Sequence, residues 1–226
     1  MNARQRVNML KTAAVFAAVV LIGSLGSISR AQADDDNGDE ARIRRGFEIA
    51  PVPLNLEDKN RALVGLGSYI VNAVVDCNGC HSAGPATQFV KGGNPFFKGN
   101  PPKVVNQATY LGGGRIFVVP GIPNIISRNL TPDKTGRAAG GRTFAEFRQI
   151  MRTGVDLDGV HPNCSATRTT DCFPAMQPFN GDLLQIMPWF ALQDMTDHDL
   201  RAIYEYLSAI PCISGPATGV LHNDCT

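Results

Sequence analysis

The stretch VVDCNGCHSA, Val74 to Ala83, sets two thiols three positions apart with an imidazole directly after the second. Upstream, Leu63, Leu66, Ile70 and Val74 recur at near-helical spacing and lead straight into Cys77, so a helix delivers the motif. A thioredoxin-like redox pair calls instead for a strand before the thiols, in a βαβ setting. A zinc site needs a second ligand pair at matching spacing, and Cys164 to Cys172 is too wide for that. A structural disulfide between Cys77 and Cys80 leaves His81 unexplained. Cys-x-x-Cys-His is the attachment signature for c-type haem: both thiols add to the haem vinyl groups and the adjacent imidazole reaches the iron.

The compartment suits that chemistry. The chain opens with Arg4, Arg6 and Lys11, runs through the apolar AAVFAAVVLI of Ala13 to Ile22, and reaches AQA at Ala31 to Ala33. This reads as a secretory leader, residues 1–33, cleaved after Ala33. The interruptions at Gly23, Ser24, Gly26 and Ser27 argue against a span of about 20 apolar residues, with an uncleaved anchor as the lesser alternative. The leader carries four basic residues and no acid, so its removal takes the formal charge from +1 to −3. A mildly acidic chain without a basic stripe offers nothing to nucleic acid.

After the leader, DDDNGDEARIRRG reads as a charged, solvated tail covering 34–58. The remainder, 59–226, is the size of one domain. Gly and Pro cluster in GGNPFFKGNPPK and LGGGRIFVVPGIPN, which read as long loops. Two further helices bracket them. Thr143 and Glu146 form a capping-box pattern ahead of Phe144, Phe147, Ile150 and Met151, ended by Gly154. Thr196 and Asp199 open the last helix, with Leu200, Ile203, Tyr204 and Leu207 on one face and Pro211 beyond its end. The pattern is all-α with too few helices for its length. Long loops need something to pack against, and a large bound group would supply it.

A second axial ligand is then to be found among Met151, Met176, Met187, Met195, His161, His198 and His222. Met187 stands out, because it precedes the rigid Pro188 in a loop shortly ahead of the last helix. Met151 fits core filler on the second helix, and His198 a solvent-facing first turn. Met176, in FPAMQP, is the serious rival.

These residues carry a resemblance. GSYIVNAVVDCNGCH (Gly67 to His81), GIPNIISRNLTPDKTG followed by FRQIMRTGVDLDG, and MPWFALQDMTDHDLRAIYEYLSAIP (Met187 to Pro211) resemble class I c-type cytochromes. The chain is most similar to the cytochrome c domains of periplasmic dehydrogenase electron-transfer subunits. The resemblance implies an all-α class I cytochrome c fold of few helices and long loops wrapped on one covalently bound haem c. It gives thioethers from Cys77 and Cys80, His81 as proximal ligand and Met187 as distal ligand. It also implies Gly67 and Tyr69 near Tyr204 and Leu207 where the first and last helices cross. Asn129 and Arg115 are candidates for the haem propionates, with loop capping and surface charge as their ordinary alternatives. Subunits of this kind often carry several haem motifs, and this chain has one; it also has extra sequence near 84–110 and 161–185.

With both axial positions filled by protein, the expected function is one-electron transfer rather than enzymatic catalysis, by a periplasmic mono-haem carrier or as the electron-accepting subunit of a dehydrogenase. The redox partners implied are a periplasmic dehydrogenase or a terminal oxidase chain, with a membrane involved only through an uncleaved leader. A peroxidase-like haem enzyme with a displaceable distal ligand is the alternative. Four cysteines remain, and short loop closure favours pairing Cys164 with Cys172 and Cys212 with Cys225.

Overall fold

A computed structural model describes residues 38–83, 85–118, 124–158, 182–215 and 223–226. The chain divides into two units, Met1–Arg42 and Ile43–Thr226. In the first, the described residues open helix α1 (38–49), and Arg42 pairs with Asp39 at 3.4 Å.

The second unit is helix-rich. Its helices are α2 (Arg61–Tyr69), α3 (Cys77–His81), α4 (Pro85–Gln88), α5 (Ala138–Gly141), α6 (Phe144–Thr153), α7 (Trp189–Leu192) and α8 (Asp197–Leu207). Among the described residues the strands are a single two-residue ladder, β1 (Ile116–Phe117) antiparallel to β2 (Ile125–Ile126). No described helix is long and apolar enough to cross a membrane.

The three expected helices form where their signals lie. The Asn60 side chain accepts from the Leu63 backbone N–H to start α2. Thr143 and Glu146 close a complete capping box on α6, and Gly154 ends it in the left-handed region. Thr196 caps α8 through the Asp199 N–H. One detail of α2 departs from the periodic reading: it continues as a π segment, Ile70–Val74, in which Val75 N–H reaches the Ile70 carbonyl. The wider turn shifts the register, burying Ile70 and Val71 and leaving Val74 exposed.

Helices α2 and α8 cross at the centre of the core. A Cβ on Gly67 would overlap the Ala202 carbonyl and crowd Tyr206, so the crossing requires a residue without a side chain. The nearest neighbours at Gly67 are thus Ala202 and Tyr206. Tyr204 turns away to pack on Phe144 and Phe147 of α6, with ring centroids 5.5 and 5.7 Å apart. Tyr206 instead joins a buried polar ring: its hydroxyl lies 2.8 Å from that of Tyr110, which donates to Asn72 Oδ1 at 2.6 Å. Asn72 Nδ2 donates back to Tyr206 at 3.1 Å, so each buried hydroxyl has a partner.

The expected tail 34–58 is corrected over its described residues, 38–58. Residues 38–49 are helical, and from Ile43 onward the segment belongs to the core: Val52 is buried, while Ile43, Phe47, Leu54 and Leu56 pack against it. Ser68 Oγ donates to the Gly46 carbonyl at 2.7 Å, and Asn55 N–H to the Ala209 carbonyl at 2.8 Å. Charge dominates this segment by composition, but its sparse apolar residues lie on the inner face. At the other end, the Cys212–Cys225 disulfide forms as expected, while Cys164 and Cys172 lie outside the described residues.

Candidate haem site

The Cys-x-x-Cys-His stretch folds as α3, a helix of little more than one turn. Asp76 enters it with φ 52°, a left-handed residue that turns the chain out of the π segment. Inside α3, buried Asn78 accepts from the Leu111 N–H at 3.0 Å, and the Gly113 N–H reaches the His81 carbonyl at 2.7 Å. One helical turn thus places both thiols and the imidazole on the wall of a single cavity of about 600 Å³.

His81 is oriented by backbone. Its Nδ1 lies 2.8 Å from the Arg128 carbonyl, which can only accept, so Nδ1 carries the proton and Nε2 keeps its lone pair. Burial pulls the imidazole below its usual pKa, against the opposing pull of the Arg128 carbonyl. A neutral ring with a free Nε2 is the ligating form. Cys77 and Cys80 carry free thiols. Burial, reinforced by Asp76, pushes the Cys77 thiol up to about 12, which makes it a poor thiolate nucleophile for disulfide exchange.

Met187 lines the same cavity and packs against the core. Its loop is clamped to the end of α6: Val155 bridges Leu183, Leu184 N–H reaches the Gly154 carbonyl at 2.6 Å, and Asp156 N–H the Asp182 carbonyl at 2.9 Å. Ile186, immediately before Met187, is held at φ 49°, a costly conformation for a β-branched residue. The remaining wall is largely apolar, with Ile125, Ile126, Phe147, Ile150, Leu192 and Ile203 contributing.

Of the other sequence candidates, Met151 is buried on α6, also at this wall, and His198 is exposed on α8. Met176, His161 and His222 lie outside the described residues. Asn129 reaches the cavity, but its amide is committed: Nδ2 donates to the Ile213 carbonyl at 2.7 Å, and Oδ1 accepts from Thr131 N–H and Oγ1. That is the loop-capping alternative. Arg115 lies off the cavity wall, donates to the Gly79 carbonyl and stacks over Phe117 at 5.2 Å. It braces α3 from outside. Sequence reasoning missed Arg128, whose carbonyl orients His81 and whose guanidinium pairs with Asp156 at 2.9 Å and Asp158 at 3.2 Å. No sequence signal marks a backbone carbonyl as a ligand's partner.

Two thiols and a neutral imidazole on one turn share the lining of a large, mainly apolar cavity with the thioether of Met187, a donor set and a volume suited to a haem. The comparisons agree. The chain is 31% identical over 150 residues to the gluconate 2-dehydrogenase cytochrome c subunit of Pantoea cypripedii, covering 66% of this chain and 24% of that protein. It is 28% identical over 161 residues to the cytochrome c subunit of a quinone alcohol dehydrogenase from Komagataeibacter europaeus, covering 71% and 24%. Against the fructose dehydrogenase cytochrome subunit of Gluconobacter japonicus the identity is 26% over 148 residues, covering 66% and 21%. The chain spans about a quarter of the length of the curated relatives it matches. No family model and no solved structure matches it.

Proposed function

We propose that this chain is a mono-haem c-type cytochrome of the class I fold, which carries single electrons outside the cytoplasm for a dehydrogenase. The observation that carries this reading is the placement of Cys77, Cys80 and neutral His81 on one wall of the cavity that Met187 also lines. Haem held there would supply one-electron chemistry between ferric and ferrous iron. Cys77 and Cys80 would hold it by thioethers, and His81 would present Nε2 with its ring fixed by the Arg128 carbonyl. Met187, on a loop anchored to α6, would offer the iron a soft, neutral sulfur that favours the reduced state. The apolar wall limits water, which keeps the local dielectric low and raises the potential.

A periplasmic location is supported by the leader pattern at the N-terminus and by the Cys212–Cys225 disulfide, which persists in an oxidising compartment. A dehydrogenase partner is supported by the similarity to cytochrome subunits of such complexes. The test is expression with a c-type haem assembly system, followed by the visible spectrum and the mass of the denatured polypeptide. One haem should stay with the denatured chain and be lost from Cys77→Ala/Cys80→Ala. A denatured wild-type chain without haem would sink the reading, and a high-spin, ligand-accepting iron would turn it toward a peroxidase.

A further inference from the structure

The excursion between α4 and the short 3₁₀ turn Gln107–Thr109 plays no part in the cavity, and its composition is one-sided. Between Asp76 and Asp133 the sequence contains no acidic residue, while Lys91, Lys98 and Lys103 fall within the excursion. The chain leaves α4, makes an isolated antiparallel bridge from Phe89 to Val105, and extends a narrow lobe. Val90 N–H bonds to the Val104 carbonyl at 3.1 Å and Val104 N–H to the Gly93 carbonyl at 2.9 Å, which keeps its two arms together.

At the tip stand Phe96 and Phe97, with 89% and 62% of their surface in solvent. They are held there by consecutive turns. Phe96 N–H bonds to Asn94 Oδ1 at 3.0 Å, Phe97 N–H to the Asn94 carbonyl and Asn100 N–H to the Phe97 carbonyl, both at 3.1 Å. Two adjacent phenyl rings projecting from a preformed tip cost free energy in water and gain it only when covered. All three lysines are exposed, and among the described residues none makes an ion pair; Lys103 interacts at longer range with Asp76. Val90 and Val104, at the base, are exposed as well.

We propose that this lobe docks the protein on an anionic lipid surface, Phe96 and Phe97 entering the acyl boundary while Lys91, Lys98 and Lys103 meet the headgroup phosphates. Residue type and charge favour anionic lipid: two exposed phenyl rings stand among three exposed lysines in a stretch without an acidic residue, the pattern of an interfacial anchor whose rings enter the acyl boundary beside basic groups at the headgroups. Preformed turns keep the ordering cost low. Only Ser82, Ala83 and Gly84 separate His81 from the start of α4, so a docked lobe would hold the Cys-x-x-Cys-His helix close to the bilayer.

The test uses the haem-loaded chain in co-sedimentation with vesicles of phosphatidylcholine alone or mixed equally with phosphatidylglycerol. Wild type should bind the mixed vesicles, release at high salt, and bind phosphatidylcholine about tenfold more weakly. Phe96→Ser/Phe97→Ser and Lys98→Gln/Lys103→Gln should each weaken binding to mixed vesicles by about tenfold while leaving the haem spectrum and thermal midpoint unchanged, since these side chains are exposed. Undiminished binding by the double-serine chain would assign membrane affinity to another segment, such as a retained leader, and overturn the proposal. Failure of wild type to bind mixed vesicles would also overturn it, and binding to immobilised polyglutamate instead would replace lipid with an acidic protein face.

Discussion

The indole of Trp189 occupies the space at Gly154 where a side chain would stand. Gly154 ends α6 at φ 71°, and its carbonyl accepts from Leu184 at 2.6 Å, so the loop bearing Met187 is seated on the end of that helix. Gly154→Ala should incur left-handed strain and push Trp189 away together. We expect a loss of about 2 kcal/mol or more in stability, and weakening of the Met187 signature with haem still attached. Thermal unfolding and the visible spectrum of the oxidised protein, taken on one sample, read both effects.

Met187→Ala should keep its covalent haem through Cys77, Cys80 and His81. It should lose the sulfur-to-iron charge-transfer band, fall in potential and begin to bind cyanide. Met176→Ala serves as the control. If the band vanishes in the control and survives in Met187→Ala, the distal assignment passes to Met176; if neither change matters, the enzyme reading moves ahead.

Arg128 ties the two sides of the cavity together: its carbonyl orients His81, and its guanidinium pairs with Asp156, whose side chain is only 7% exposed. The Asp156 backbone N–H donates to the Asp182 carbonyl at the base of the loop that bears Met187. Asp156→Ala should cost about 2 kcal/mol, between the values for exposed and buried pairs, because Asp158 still faces Arg128. Denaturant unfolding measures that cost. A shift in potential together with it would show that the Arg128–Asp156 pair acts on the haem environment, whereas lost stability at unchanged potential would confine it to packing.

The capping box on α6 gives a pH-dependent contribution. The Thr143 backbone N–H, and then its hydroxyl, hold the Glu146 carboxyl below its ordinary 4.5. A depressed carboxyl stabilises the fold above its ordinary pKa, and that contribution is lost as pH falls through the folded value. Thr143→Ala should therefore cost about 1 kcal/mol at neutral pH, and the gap from wild type should narrow in acid. Parallel unfolding curves at both pH values would show it; a gap that widens in acid would refute the linkage.

The Cys212–Cys225 disulfide, with a sequence separation of 13, fastens the C-terminus beside Asn223, whose buried Nδ2 donates to the Pro132 carbonyl at 2.8 Å and the Thr131 carbonyl at 3.2 Å. Cys212→Ser/Cys225→Ser should lose about 3 kcal/mol. Because Asn223 also lines the cavity, the haem environment should loosen too, visible as a broadened spectrum. A stable, spectrally unchanged double variant would show that the tail holds without its bond.

What the sequence determined by itself is local. The Cys-x-x-Cys-His spacing needs only one helical turn to bring its groups together, so its chemistry is readable from Val74 to Ala83 alone. Thr143 with Glu146, and Thr196 with Asp199, cap helices through bonds spanning three residues, and those ends are written in the chain. The tertiary structure decided everything that depends on residues distant in sequence. It turned a charged segment into a helix and a following stretch that join the core, because a few apolar side chains pack there, Phe47 beside Gly65 of α2 and Val52 buried after the helix. At the Gly67 crossing it set Tyr206 against the glycine and into a polar ring with Asn72 and Tyr110, while Tyr204 packs on Phe144 and Phe147. It recruited the Arg128 carbonyl to His81 and bonded the Asn129 amide to Ile213 and Thr131, since a backbone carbonyl has no sequence signature and an amide bonds whichever groups the folded loops bring near. A pattern of a few residues can encode a bond within a turn; a bond between turns exists only once the chain has closed around its core.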